Sequence, residues 1–442
     1  MTVEFKPEQT EMLASPAKEE EHPKPTAAEE NRLVESQDTV EKRPSFKEES
    51  NFLSDLKDHE RKALFELQNK LELQHIAEEK LLRKDANGDR DLSIWGVPLS
   101  SNNGNECTDV VLLKFLRARD FKVKDAFDML RNTLLWRKEN RVDSILGEGE
   151  GELGEEFGKA GFIDGVDRDG HPICYNVLGA FQDAEMSNMV FGSDEGRKKF
   201  LRSRVRLMEQ GIKALDMRPG GVSSLLHVTD LKDALGFSKK EVRDTIKQAV
   251  QLLQDNYPEL VARNIVINAP FWYYALNAIL NPFLTQRTRS KFVVVRPAKV
   301  TETLLRYIPL EAIPTHYGGL KRENDIEFSR EEGKVLELSI KASSFGTIEI
   351  PAHEARETLL WDFVVLGWEV NYKAEFVPAD EGSYTVIVQK GRKIGGSQEE
   401  PIRNSYRNTE PGKIVLTIEN SGLKKKRIFY RFKVKTVLSG ES

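Results

Sequence analysis

The chain has 442 residues and a mass of 50.3 kDa, more than a single hydrophobic core usually organises, so two or more folded units are expected. Charged residues make up 31% against 39% hydrophobic, and the net charge is only −5, which excludes the basic surplus of a nucleic-acid binder. Two cysteines, Cys107 and Cys174, stand apart without a Cys-x-x-Cys or Cys/His cluster; no disulfide framework or zinc site is expected, and a reducing compartment fits best.

The first residues, Met1 to Glu11, lack the basic start and apolar stretch of a signal peptide, and no long uncharged apolar run follows. The chain is therefore expected to be cytoplasmic, with peripheral membrane contact only. Residues 1–50 are rich in Glu, Pro, Lys, Ser and Thr, a composition that buries too little surface to offset its ordering entropy, and are expected to form a disordered acidic tail. Ser15-Pro16 and Arg43-Pro44-Ser45 are candidate phosphorylation sites within it, solvated linker being the plainer alternative.

Residues 51–84 carry Leu53, Leu56, Leu64, Leu67 and Leu71 among Glu and Lys at helical spacings, an amphipathic segment expected to dock on its own neighbouring domain. The seam is short and broken by His59 and Glu60, which argues against coiled-coil pairing. Residues 85–146 hold a helical hairpin. Its first arm, 109–120, places Leu112, Phe115, Leu116 and Arg119 on one face with Asp109 as cap. Asp125 is expected to cap the second, whose stripe is Phe127, Leu130 and Leu134 with Trp136 beyond.

From 147 to 325, after a Gly/Glu-rich linker, apolar runs beginning at Pro172, Val222, Asn264 and Lys291 alternate with helical stretches at about 194–215, 238–254 and 271–284. That is the rhythm of βαβ units around a mostly parallel sheet. Residues 333–438 change texture: Trp368, Val370, Tyr372, Ala374 and Phe376 alternate with polar residues, as do Tyr384, Val386 and Val388, and 414–419 and 428–437 look the same. With Gly- and Asn-containing turns and no helix between them, these predict a separate antiparallel β-sandwich.

Signatures of catalysis are missing from the sequence: no Walker A loop, His-Glu-x-x-His or Gly-x-Ser-x-Gly elbow. One Gly-x-Gly-x-x-Gly at Gly149–Gly154 carries glutamates that would repel a pyrophosphate. The informative stretch is 269–284, apolar and aromatic nearly all round yet too short to span a bilayer; Phe271, Trp272, Tyr273, Ile279, Leu280 and Phe283 are either core or a membrane-facing lid. Beside it, Glu259 precedes one strand while Thr288 and Lys291 precede another, bringing a carboxylate, a hydroxyl and cations that either grip a phosphate ester or make an ordinary surface ion pair. Lys424, Lys425, Lys426 and Arg427 form a run of four cations between two strands, either an anionic-membrane patch, with Lys390–Lys393 extending it, or a solvated turn guarding a sheet edge.

Leu113-Lys-Phe-Leu-Arg-Ala-Arg119-Asp-Phe, Trp136-Arg-Lys, Gly165-Val-Asp-Arg-Asp-Gly-His-Pro-Ile173, Tyr257-Pro-Glu259, Ile267-Asn-Ala-Pro-Phe271 and Tyr317-Gly-Gly319 occur in this order, and together resemble the α/β CRAL-TRIO (Sec14-like) lipid-binding domain over roughly residues 85–320. The β segment resembles a GOLD domain. Both behind an acidic tail, with Ser93-Ile-Trp-Gly-Val-Pro-Leu99 before the hairpin, resemble the plant patellins.

The resemblance implies a non-enzymatic phospholipid-binding, transfer or sensing protein, with phosphatidylinositol or a phosphoinositide as bound lipid and no other cofactor. It implies headgroup roles for Arg119, Glu259, Thr288 and Lys291, a helical gate around 271–284, and trafficking partners through the GOLD domain. It also implies work at the plasma membrane or cell plate during plant cell division. Asp120 stands where the phosphatidylinositol-transfer prototype has a lysine, which leaves headgroup choice open. The alternatives are an interaction scaffold with a vestigial cavity and an enzyme using the α/β sheet.

Overall fold

The computed structural model describes residues 48–75, 83–84, 90–91, 93–99, 106–148, 157–234, 240–271, 273–274, 286–328, 334–367, 369–395 and 400–436. The candidate phosphorylation sites, the Gly149–Gly154 run and Trp368 lie outside the described residues.

The first amphipathic stretch is one helix, α1 (Asp58–His75), after a 3-10 turn at Leu53–Asp55. Leu64, Leu67 and Leu71 follow one another at helical spacing and are buried together with Leu56 and Ala63, so the stripe docks within its own chain. It packs on the helical hairpin α2 (Glu106–Ala118) and α3 (Val123–Glu139). Neither expected cap holds. Because α2 begins at Glu106, Asp109 lies inside its first turn, where it accepts the Gln68 amide at 2.6 Å; α3 begins after Lys122, with Asp125 in its first turn. A carboxylate there still faces the positive end of the helix dipole, which is why the residue type misled about the boundary.

A five-stranded sheet follows, in the order β1 (Gly161–Val166), β2 (Pro172–Val177), β3 (Leu225–Asp230), β4 (Val261–Ile267), β5 (Phe292–Val294). β2 to β5 are parallel, and β1 adds an antiparallel edge that its glycines and aspartate conceal in the sequence. Crossovers are provided by α4 (Ala184–Phe191), α5 (Asp194–Lys213) and α6 (Lys240–Asn256), and by the segment ending in the short helix α7 (Gln286–Ser290); α8 (Val300–Tyr307) follows β5.

The two faces of the sheet differ. Ile173, Tyr175, Leu226, Val228, Ile265 and Ile267 form a core with Leu304 and Ile308. On the opposite face the register aligns Cys174, His227, Asn264 and Phe292 in one row and Asn176, Thr229, Val266 and Val294 in the next. Exposure along the first row climbs from 1% at Cys174 to 37% at Phe292, so this face opens toward the β5 edge. The Tyr317-Gly-Gly motif closes the α/β domain for a steric reason. Gly318 has φ of +79°, and a Cβ on Gly319 would lie 1.9 Å from the Ile313 carbonyl oxygen.

The C-terminal part is a sandwich of two antiparallel four-stranded sheets. Its strands are β6 (Leu336–Ile340), β7 (Ser344–Ala352), β8 (Thr358–Leu366), β9 (Val370–Pro378), β10 (Val386–Ile394), β11 (Ile402–Arg407), β12 (Gly412–Asn420) and β13 (Lys426–Lys435). One sheet runs β6-β13-β8-β11 and the other β7-β12-β9-β10. Alternation at Val370, Tyr372, Ala374 and Phe376 is the inward face of β9, while Tyr384 and Val386 point to solvent because β10 is an edge strand.

The sandwich has its own core yet is fastened to the α/β domain. Val364 and Phe429 join the Leu304 and Ile308 cluster, and the completely buried Asp362 accepts from Arg403 (2.6 and 2.7 Å) and Arg431 (2.8 and 3.0 Å). Arg403 also grips Asp325 at 2.7 and 2.8 Å, and Arg431 donates to the Leu320 carbonyl at 3.0 Å. Breaking a buried pair from one side strands the other charge. Asp362→Ala is accordingly expected to lower stability by about 3–5 kcal/mol, read from urea unfolding of the whole chain.

Candidate functional site

The candidate site is built around one turn. Tyr257-Pro258-Glu259 enters β4 with Glu259 at φ +53°, a left-handed conformation that a side chain adopts only under constraint. The constraint is electrostatic. The Glu259 carboxylate takes a two-pronged bond from Arg287 (2.9 and 3.0 Å) and a third from the Lys291 ammonium (2.7 Å), while its backbone carbonyl accepts from the buried Lys114 at 2.9 Å. Lys291 also donates to the Val261 carbonyl at 3.0 Å, tying α7 to the start of β4.

Of the four expected headgroup residues, Glu259 and Lys291 meet directly. The Thr288 side chain lies outside the described residues, although its backbone is part of α7. Arg119 is not among the partners of Glu259: it donates to the adjacent Ala118 carbonyl at 3.1 Å from a half-buried position. Lys114 and Arg117, on the buried side of α2, and Arg287 take that place. A signal for them exists in the sequence, since Lys114 sits among residues spaced as core, four after Val110 and three after Val111, and Arg117 is three residues further.

Residues 48–50, assigned by composition to a disordered tail, are instead pinned across this cluster. Glu49 spans Arg117 (2.9 Å) and Arg287 (2.6 Å) with its two oxygens. Arg117 donates to the Ser50 carbonyl at 2.6 Å and to the Asn51 amide oxygen at 2.5 Å, and Asn51 donates to Ser223 at 3.3 Å. Glu48 accepts from Ser224 at 2.5 Å and meets His171 Nε2 at 2.8 Å. Together Glu48, Glu49, Asn51, Lys114, Arg117, Ser223, Glu259 and Arg287 line a shallow open cleft.

Burial lowers the Lys114 ammonium to about 8 against the partial support of Glu48 and Glu259. Burial also opposes charge on His171, but carboxylates on both ring nitrogens, Asp167 at 2.9 Å and Glu48 at 2.8 Å, outweigh it and hold the imidazolium to about 9. For Glu48 the same contest favours the anion: burial pushes its carboxyl up, yet His171 and Ser224 keep it near 2. Asp167, Asp169 and His171 are grouped closely enough to suggest a metal site. However, Asp167 already accepts from the Asp169 and His171 backbone N–H groups and the His171 ring, the bonding of a closed turn.

The second component is the open sheet face. Thr229 donates to Asn264 at 3.0 Å on it, and Tyr273 and Tyr274 are half-buried at its upper end against Leu231, Val266 and Ala269. Phe271 is 72% exposed. Trp272, Ile279, Leu280 and Phe283 lie outside the described residues. Cys174 and His227 are neighbours on this face, but burial raises the thiol to about 12 and lowers the imidazole to about 4, so the pair offers no thiolate at neutral pH.

The third component is the β12–β13 turn, where the run of four cations is corrected at Lys426. Lys424 and Lys425 are exposed, whereas Lys426 is 5% exposed within β13 and Arg427 is engaged by Glu337 at 2.7 and 2.9 Å. The strand period explains this: β13 begins at Lys426, so its side chains turn alternately inward. Leu423, at the tip, is 93% exposed, and buried Asn420 holds the turn by donating to Ile340, Lys341 and Lys424 carbonyls.

Comparison with known proteins agrees with this architecture. Residues 52–132 match the CRAL/TRIO N-terminal domain model, 156–319 the CRAL/TRIO domain, and 341–426 the Patellin-1-like C-terminal GOLD domain. Patellin-3 of Arabidopsis thaliana is 45% identical over 88% of this chain and 78% of its own length. The chain belongs to the patellin family. Patellin-4 of the same plant is 57% identical over 80% of this chain, which spans only 63% of that relative. Patellin-6 is 42% identical over 88% of this chain and 91% of its own length. Like its sequence, the patellin fold here contains no helix, among the described residues, long and apolar enough to cross a membrane.

The His171 link makes a pH prediction. Its pKa rises from 6.5 to about 9 on folding, so its contribution is fully present below 6.5 and is lost as pH climbs through 9. The stability difference between the wild type and His171→Gln should therefore shrink by about 3 kcal/mol between pH 6 and pH 10 in urea titrations.

Proposed function

We propose that the chain holds one phosphate-bearing membrane phospholipid, phosphatidylinositol or a phosphoinositide, and exchanges or presents it at membrane surfaces without covalent chemistry. The observation that carries this reading is the cluster at Glu259. Lys114, Arg117, Arg287 and Lys291 converge beside a sheet face whose β5 edge is partly exposed at Phe292, the two halves that an amphiphile with an anionic head requires. Lysine and arginine donors suit phosphate oxygens, and the Glu259 carboxylate both orients them and offers an acceptor to a hydroxyl. The acyl chains would lie along the row of Asn264 and Phe292, beside Tyr273 and Tyr274.

Carrying a diacyl lipid requires cover. About 30 methylenes at about 0.8 kcal/mol each amount to roughly 24 kcal/mol of exposure to water, so release belongs at a bilayer. The exposed Leu423 between Gly422 and Lys424-Lys425 suits such contact, with an apolar tip and two cations each contributing about 1 kcal/mol near anionic lipid. The proposal extends to membrane trafficking at the plasma membrane or cell plate, with trafficking proteins as partners of the GOLD domain, a reading that the patellin relationship supports.

Mass spectrometry of lipid extracted from the purified chain tests the proposal directly. A stoichiometric phosphoinositide is expected, and an empty protein with no vesicle exchange would instead support the scaffold alternative. Lys291→Ala with Thr288→Ala should reduce phosphatidylinositol loading about tenfold while phosphatidylcholine loading stays put, and the unfolding midpoint should fall because Glu259 loses one of its partners. Lys424→Glu with Lys425→Glu should weaken binding to anionic vesicles by about tenfold or more, most clearly at low salt; equal sedimentation with vesicles would return this turn to ordinary surface.

A further inference from the structure

We propose that residues 48–51 form a strap that occupies the phosphate site in competition with its ligand. The inference rests on the headgroup reading above and adds an intrachain occupant to it. Glu49 imitates an oxyanion: its two oxygens bridge the guanidinium groups of Arg117 and Arg287 at 2.9 and 2.6 Å, the arrangement two arginines make around phosphate. Arg117 faces the strap with both terminal nitrogens, which donate to the Ser50 carbonyl and Asn51, while its Nε forms an ion pair with Glu49 without a hydrogen bond. A phosphate bound by Arg117 and Arg287 must therefore displace these contacts.

Charge dictates that the event is an exchange. With the strap in place, Glu49, the Ser50 carbonyl and Asn51 face Arg117, and Glu49 also meets Arg287; without it Arg117 loses these contacts, while Arg287 and Lys291 keep Glu259. A buried guanidinium stripped of its acceptors is costly, so the strap leaves readily only as another anion arrives. Beyond Arg117 and Arg287 its attachments are also polar: Glu48 to His171 and Ser224, Asn51 to Ser223. Residues 48–51 carry no apolar side chain, and Phe52, next in sequence, is 48% exposed with its ring against Gly220. The hold is thus electrostatic, and a phosphate competes with it on like terms: the phosphodiester of phosphatidylinositol matches the single charge of the Glu49 carboxylate, and a phosphomonoester exceeds it. Headgroup selection follows as well, because the cations that read the phosphate are available only to a ligand able to dislodge Glu49.

The test uses the full chain and a reversible lock. Asn51→Cys with Ser223→Cys, in a Cys107→Ser background, targets two residues whose side chains hydrogen-bond at 3.3 Å, and once mass spectrometry confirms the disulfide one folded protein is compared oxidised and reduced. Loading is measured with fluorescent phosphatidylinositol and phosphatidylcholine from mixed vesicles, and inorganic phosphate binding by calorimetry. Oxidation should cut phosphatidylinositol loading at least about fivefold, leave phosphatidylcholine unchanged, and be reversed by dithiothreitol. Glu48→Gln with Glu49→Gln should raise phosphatidylinositol loading about threefold or more. Tighter inorganic phosphate binding on reduction, with lipid loading unmoved, would uphold the strap but overturn the headgroup reading in favour of a soluble phosphate. If the reduced protein loads phosphatidylinositol and the lock alters neither that loading nor phosphate binding, the strap inference alone is overturned. Phosphatidylcholine loading only, with no phosphate difference between the two forms, overturns both.

Discussion

A single carboxylate, that of Glu259, sets the relation between three otherwise independent pieces of this molecule. Its backbone is held left-handed at the mouth of β4, its carbonyl receives Lys114 from the helical hairpin, and its oxygens receive Arg287 and Lys291 from the segment leading to β5. A strained φ persists only where surroundings over-determine it, and four charge-assisted hydrogen bonds do so here. Because Arg287 lies in α7 and Lys291 stands immediately before β5, these bonds tie the entry of β4 to the entry of β5 through one side chain.

The two charge clusters of the chain illustrate how similar chemistry serves different ends. At Asp362 both oxygens are saturated by arginines, the carboxylate is wholly buried, and Phe328 lies beneath Arg431 at 4.2 Å and Arg403 at 5.2 Å. Nothing there can be replaced without stranding charge, and the cluster joins the sandwich to the α/β domain permanently. At Glu259 the cations outnumber the resident carboxylate, and the balance comes from a segment with almost no apolar anchorage. Saturation makes a clamp; deficit filled by a removable anion makes a binding site.

What could be read from the sequence follows the same division. Apolar periodicity was enough for α1, α5 and α6, for the parallel run β2 to β5, and for the inward faces of β9 and β12, because each depends on neighbours within one element. It was not enough for β1, whose Gly161 and Gly165 obscure the strand pattern, or for the outward turn of Val386 on an edge strand. The candidate site was half legible: Tyr257-Pro-Glu259 and Lys291 stand out by motif, but Arg117 and Arg287 acquire their role only when residues 49, 117, 259 and 287 meet in space. Composition misassigned Glu48–Ser50 for a related reason. A segment that cannot bury apolar surface is still ordered when it supplies the anions that a buried cationic site lacks.

That last point bears on how lipid specificity and lipid transport can be separated in one chain. The apolar requirement of a diacyl lipid is met by area, which any sheet face and aromatic cover of sufficient extent provide, and it discriminates little between headgroups. Discrimination has to come from directional donors, and donors buried without an acceptor are destabilising. A protein that waits unloaded must therefore either leave its headgroup donors in water, where they bind weakly, or satisfy them with something of its own. Glu49 across Arg117 and Arg287 is the second solution. It keeps the donors preorganised, and it subtracts the energy of its own bonds from every ligand, so that weakly charged headgroups gain least from entering.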